Sequence, residues 1–175
     1  MRYFMLKQDE RITDMPYQQD LFEKIDLRHI SASKAGLIPA RTLIRLRPSK
    51  NTVFPDVLCN PVLLVTREMR DVIKVFDQYL VFRQVVCLDP ENQMVQLYFM
   101  PMLEDIDCLS DKSEYVNESR ATLSKAVIMR SPIRDKSLFQ IKHNTKRISI
   151  IRLDLAESLL TRGCKGFTLV EAAVE

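Results

Sequence analysis

The chain has 175 residues, 46% of them hydrophobic and 28% charged, and its 26 Lys and Arg against 23 Asp and Glu leave a net charge of +3. This balance is ordinary for a globular protein, and a chain of this length can bury a sizeable core without staples. No run of 18 apolar residues offers a transmembrane helix, and the opening MRYFMLKQDER meets charge too soon for a signal peptide, so a cytoplasmic location is the expectation.

Tyr3 to Lys7 reads as an opening strand, and the polar Asp9 to Gln19, with Pro16, as a loop. Leu21, Phe22 and Ile25 suit a short helical turn. Thr42 to Leu46 is the next strand, with Leu43 and Ile44 as apolar members, followed by a turn-rich connection from Pro48 to Pro55. The length fits a single domain over 1–175, or two subdomains with an irregular part at 1–55 and the main sheet at 56–175.

From Asn60 to Asp89 the pattern is strand, helix, strand. Val62 to Val65 is apolar, Thr66 suits a helix N-cap, and Met69, Val72, Ile73 and Phe76 fall on one helical face. Phe82, Val85, Val86 and Leu88 form the following strand. The turn Asp89-Pro90-Glu91-Asn92 leads into the alternating run Met94 to Met100, which predicts an antiparallel hairpin. Val127 to Met129 and Leu138 to Ile141 are two more candidate strands.

The pattern returns from Arg147 to Val174. Ile148, Ile150 and Ile151 make a strand, and Asp154 with Glu157 three residues on has the spacing of a capping box. Leu155, Ala156, Leu159 and Leu160 share a helical face, with Arg162 in the last turn. Gly163 is the expected left-handed residue that ends this helix, and Gly166 releases the chain into Phe167, Leu169 and Val170. Two of only three glycines bracket this turn, which points to positive φ or a close backbone approach. Strands outnumber helices, and long helices between strands are missing. The expected fold is therefore α+β, a mainly antiparallel sheet with two or three short helices and two strand-helix-strand units.

Charge is segregated. From Glu104 to Glu118 there are six acids and one base, Lys112, whereas Arg120 to Arg152 holds nine bases and one acid, Asp135. The first segment predicts an exposed connection rather than a regular element, since Ile106, Leu109 and Val116 show no sustained period. Its Glu104, Asp105, Asp107, Asp111 and Glu114 are the candidate partner-binding residues. The basic segment could instead track a phosphate backbone, although Phe139 is its only aromatic. The two segments could also neutralise each other across a sheet surface.

The four cysteines, Cys59, Cys87, Cys108 and Cys164, are widely spaced and read as free thiols, several of them buried. Neither His29 nor His143 lies in a catalytic motif, and adjacent Glu104 and Asp105 on a strand would point to opposite faces. There is no phosphate loop, metal-ligand spacing or nucleophile motif, so no cofactor is expected and the chain reads as a non-enzyme. An enzyme would need a pocket placing His29 or His143 beside a carboxylate or thiol.

The terminal unit, with its apolar strand, Leu153-Asp154-Leu155-Ala156-Glu157-Ser158-Leu159-Leu160 and Thr161-Arg162-Gly163-Cys164-Lys165-Gly166-Phe167, resembles bacterial immunity proteins of polymorphic toxin systems. The similarity is to immunity family eleven, formerly a domain of unknown function. A weaker match runs from Asp56-Val57-Leu58 through Pro61, Leu64, Val65 and Thr66 to the amphipathic helix. The resemblance implies a small cytoplasmic protein that binds a cognate toxin at or beside its active site. It carries no set of binding residues.

Overall fold

A computed structural model describes residues 1–120, 122–143 and 147–175. The fold is α+β. A six-stranded sheet has the order β10-β13-β1-β12-β11-β7, built from Tyr3–Gln8 (β1), Asp105–Ile106 (β7), Val127–Ile128 (β10), Leu138–Ile141 (β11), Ile148–Arg152 (β12) and Phe167–Val174 (β13). A five-stranded sheet has the order β2-β5-β6-β4-β3, from Arg41–Arg45 (β2), Val57–Leu58 (β3), Leu64–Val65 (β4), Phe82–Asp89 (β5) and Met94–Pro101 (β6). Glu114–Tyr115 (β8) and Leu123–Lys125 (β9) form a separate pair. Most pairings are antiparallel, while β2 with β5, β7 with β11 and β10 with β13 are parallel.

Among the described residues three α-helices accompany the sheets: Leu21–Lys24 (α1), Arg67–Phe76 (α2) and Leu153–Thr161 (α3). The two strand-helix-strand units share one design. β4 and β5 both pair antiparallel with β6, which lies between them, and α2 connects them. β12 and β13 likewise flank β1, and α3 connects them. Strand pairing does not divide the chain at residue 55, because β1 sits inside the terminal sheet while β2 joins the other.

The two helices pack on each other between the sheets. Met69, Val72 and Ile73 from α2 meet Leu155, Ala156 and Leu159 from α3 in a core that also takes Leu6, Val65, Phe99, Ile151 and Phe167 from the strands. Each sheet buries its other face in a second cluster. Residues of the 21–38 stretch cover Ile44, Val85, Cys87 and Tyr98, and residues 106–133 cover Tyr3, Met5, Phe139 and Ile150. The period-2 alternation of strands therefore divides Met5 from Leu6 and Val85 from Phe82.

Gly163 has φ +76 and ends α3 as expected. The Cys164 N–H donates to Leu159 O at 3.2 Å and the Gly163 N–H to Leu160 O at 2.9 Å, the paired bonds of a Schellman motif. Gly166 has φ +99, and a Cβ there would lie 2.5 Å from Pro55 Cβ. Its backbone is thus pressed against the loop before β3.

Three local expectations need correction. Asp154 is not the N-cap of α3, because Arg152 holds that position and Asp154 lies one residue inside the helix. Arg152 binds the Asp154 carboxylate at 2.7 Å, so the acid serves the first turn through a charge pair and not through a capping box. Leu160 is 53% exposed, since the core is closed by Leu155, Ala156 and Leu159 alone. The segment Glu104 to Glu118 is not a plain exposed connection. It carries β7 and β8, and Ile106 and Cys108 are buried while Asp105 and Asp107 face solvent. This alternation belongs to a strand, and the apolar residues counted without Cys108 concealed it.

Candidate functional site

Residues 107–116 run antiparallel to 122–129. The Met129 N–H donates to Cys108 O at 2.8 Å, the Ser110 N–H to Val127 O at 2.8 Å and the Val116 N–H to Thr122 O at 2.9 Å. The acidic segment and the start of the basic segment are therefore two arms of one hairpin. Ser113 pins the inner side, its hydroxyl donating to Val127 O at 3.0 Å. Glu175 pins the outer side, where its carboxylate takes Ser110 Oγ and Lys112 Nζ. These two partners hold the Glu175 carboxyl below its ordinary range, Lys112 contributing most.

The predicted acidic residues divide into three groups. Glu104 is paired with Lys136, and Glu114 with Lys125 at 3.3 Å, so acid and base segments neutralise each other at these points. Asp105 is an exposed residue, yet its surroundings push its pKa upward by burial, and Arg147, Lys142 and Lys34 offset this only in part. Asp107 and Asp111 are exposed and make no ion pair among the described residues.

The basic segment is largely committed to structure. Lys125 and Lys136 carry the pairs just named, and Arg152 binds Asp154. Arg147 reaches across to the N-terminal part, where it donates to Ile30 O at 2.8 Å and to Leu27 O. Burial lowers the Arg147 pKa, and Asp105 opposes that shift. Arg130, Arg134 and Lys142 are exposed.

One end of the six-stranded sheet is concave. The ends of β1, β12, β11 and β7, neighbours in the sheet, form the floor of a groove of about 1040 Å³. Ile12, Met15, Phe22 and Leu27 form one wall, and Thr122, Leu123 and His143 the other. This groove brings Asp105, Arg147, His143 and Cys59 to one place. His143 stacks on Tyr115, with ring centroids 6.2 Å apart, and its Nε2 lies 3.0 Å from Arg120 O. Arg120 in turn lies 5.5 Å from the Tyr115 ring centroid, so the three residues brace the hairpin tip. Burial pushes the Cys59 thiol up to about 12, the reverse of what a thiolate nucleophile needs. His29 stands outside this set, with Nε2 4.0 Å from an Asp26 carboxylate that Arg28 binds at 2.7 Å. Among the described residues no three His, Cys, Asp or Glu side chains converge as a metal site. Among the described residues, no helix is long and apolar enough to cross a membrane.

Sequence reasoning placed the acids but not the groove, which is assembled from β1, the 12–28 stretch and residues 59–61 together with β7, β11 and β12. No local pattern encodes that convergence. Compared with models of known protein families and with curated proteins, the chain matches none of them.

Proposed function

We propose that the chain is a non-enzymatic, immunity-type protein that binds and neutralises a cognate bacterial toxin. The reading rests on the resemblance of the terminal unit and on one observation, the pinned hairpin that holds Asp107 and Asp111 in solvent and carries Val116, 68% exposed, further along the same arm. Glu175 and Ser113 fix the arm that carries them, so little conformational freedom is lost when a partner docks. Two unpaired carboxylates favour a partner with a basic surface, such as a toxin that acts on nucleic acid. Glu104 and Glu114, already matched by lysines, contribute less to that attraction. In this reading the hairpin occupies the toxin surface in place of substrate.

The test is co-expression with the product of the adjacent gene. The proposal predicts that this product is a toxin, that it arrests growth alone and that the chain restores growth by forming a complex. A toxic neighbour that neither binds the chain nor is silenced by it would overturn the proposal, as would a neighbour that is no toxin at all.

A further inference from the structure

The face of the five-stranded sheet that carries α2 is only half covered. Strand register lays three rungs across β2, β5 and β6: Arg41–Gln84–Phe99, Leu43–Val86–Leu97 and Arg45–Leu88–Val95. Their side chains share one face, since Ile44, Val85, Cys87 and Tyr98 point to the opposite core. Helix α2 packs over β4 and β6, buries Phe99, and reaches the start of β5, where Lys74 lies over Phe82. Leu43 is 50% exposed and Val95 is 62% exposed, while Val86, Leu88 and Leu97 between them are partly covered. An apolar stripe therefore lies open beside the helix. At the first rung it deepens into a cleft of about 630 Å³, lined by Arg70, Lys74, Tyr79, Phe82, Gln84 and Phe99.

The stripe has a basic rim on both sides. Arg41 and Arg45 are exposed on edge strand β2, and Arg70 and Lys74 stand on α2. Arg70 lies over Phe99, 4.1 Å from its ring centroid, and Lys74 is 5.9 Å from that of Phe82. Asp71 is taken up by Arg70 at 2.6 Å, and Arg41 donates to Gln84 Oε1 at 2.7 Å. β2 and β5 are adjacent strands about 5 Å apart and β2 is the sheet edge, so a helix laid beside α2 would rest on these two strands and extend past the edge.

We infer that this face docks an acidic amphipathic helix of a partner protein. The apolar stripe of that helix covers Leu43, Val86 and Leu97, and its flanking carboxylates meet Arg41 and Arg45 on one side and Lys74 on the other. A second copy of this chain in face-to-face packing would set basic rim against basic rim, which costs affinity. A lipid surface would reach Leu43 and Val95, which are half or more exposed, but not Val86 and Leu97, which are partly covered. The surface lies on a different sheet from the acidic hairpin, and its test does not involve the toxin.

The test uses two labelled synthetic peptides, each an amphipathic helix with a leucine stripe, flanked by glutamates in one and by lysines in the other. Fluorescence anisotropy should show saturable binding of the glutamate peptide to the intact protein. The Arg41→Glu/Arg45→Glu variant should raise its Kd by about tenfold at low salt, as loss of close charge complementarity requires. Leu43→Ser, at an exposed position, should weaken binding with the fold unchanged by circular dichroism. Equal binding of both peptides, or binding of neither, would overturn the inference. So would a concentration-dependent dimer that the same variants abolish, or co-sedimentation with vesicles of equal parts phosphatidylcholine and phosphatidylserine in preference to the peptide.

Discussion

The Gln8 side chain on β1 accepts a hydrogen bond from the Cys59 N–H at 2.8 Å, across the junction of the two sheets. The same carboxamide donates through Nε2 to Val57 O at 3.1 Å and to Gly166 O at 2.7 Å. One side chain thereby stands in for a strand partner along β3 and also holds the turn after α3. Gln8→Ala leaves Cys59 N–H and two carbonyls without these partners, and should destabilise the fold by about 1–3 kcal/mol. Urea unfolding would show this as a lower midpoint with unchanged slope. An unchanged midpoint would mean that water replaces the bridge at no cost.

The two glycines of the terminal turn should respond differently. Gly163 has φ +76 with open space around it, so Gly163→Ala meets only the left-handed backbone penalty of about 1–2 kcal/mol. Gly166 has φ +99 and almost touches Pro55, so Gly166→Ala adds a steric clash to the same kind of strain. The second variant should melt well below the first. Equal melting temperatures would show that the loop before β3 moves aside freely.

Alkaline pH should destabilise the protein through its buried thiols. Burial pushes Cys59 and Cys87 up to about 12 and Cys108 up to about 11, from an ordinary 9.0. The folded state therefore keeps its protons while the unfolded state loses them. The stability due to this difference is complete below pH 9 and falls as pH rises toward 11 and 12. Cys87→Ala should flatten that fall in chemical unfolding measured across this range, though it lowers stability at neutral pH by leaving a small cavity. A stability that stays level above pH 9 would contradict the buried-thiol placement.

Helix α3 separates two adjacent leucines. Leu159 is fully buried between the sheets, so Leu159→Ala should cost about 2–5 kcal/mol. Leu160 is 53% exposed, and Leu160→Ala should change stability by no more than about 0.5 kcal/mol. Thermal unfolding of the pair checks the orientation of the helix, and a larger loss for Leu160 would reverse it.

That pair also shows how far the sequence could be read. Periodicity located both long helices, and α2 buries Met69, Val72 and Ile73 as its spacing implies. The β5–β6 hairpin and the αL role of Gly163 were equally visible, because each depends on residues close in sequence. Leu160 was misplaced because four apolar residues in a row of helical turns make a face wider than this core needs. The N-cap was placed two residues late, at Asp154 rather than Arg152, and Arg152 binds the Asp154 carboxylate. The acidic segment was misread because Cys108 and Ser110 carry its inward positions, and neither is strongly apolar. The groove and the open sheet face depend on partners far apart in the sequence, such as Arg41 with Gln84 and Arg147 with Leu27, and such pairings leave no local trace.

The most direct measurement of the central claim is the association rate of the chain with its proposed toxin partner, the product of the adjacent gene, taken by stopped flow at low and high salt. Asp107→Lys/Asp111→Lys alters two unpaired carboxylates of the hairpin and leaves the Glu104–Lys136 and Glu114–Lys125 pairs intact. The account predicts association slowed by about tenfold or more at low salt and a much smaller change at high salt, because steering is screened beyond about 10 Å at 0.1 M. The same association rate for variant and wild type at low salt would contradict it.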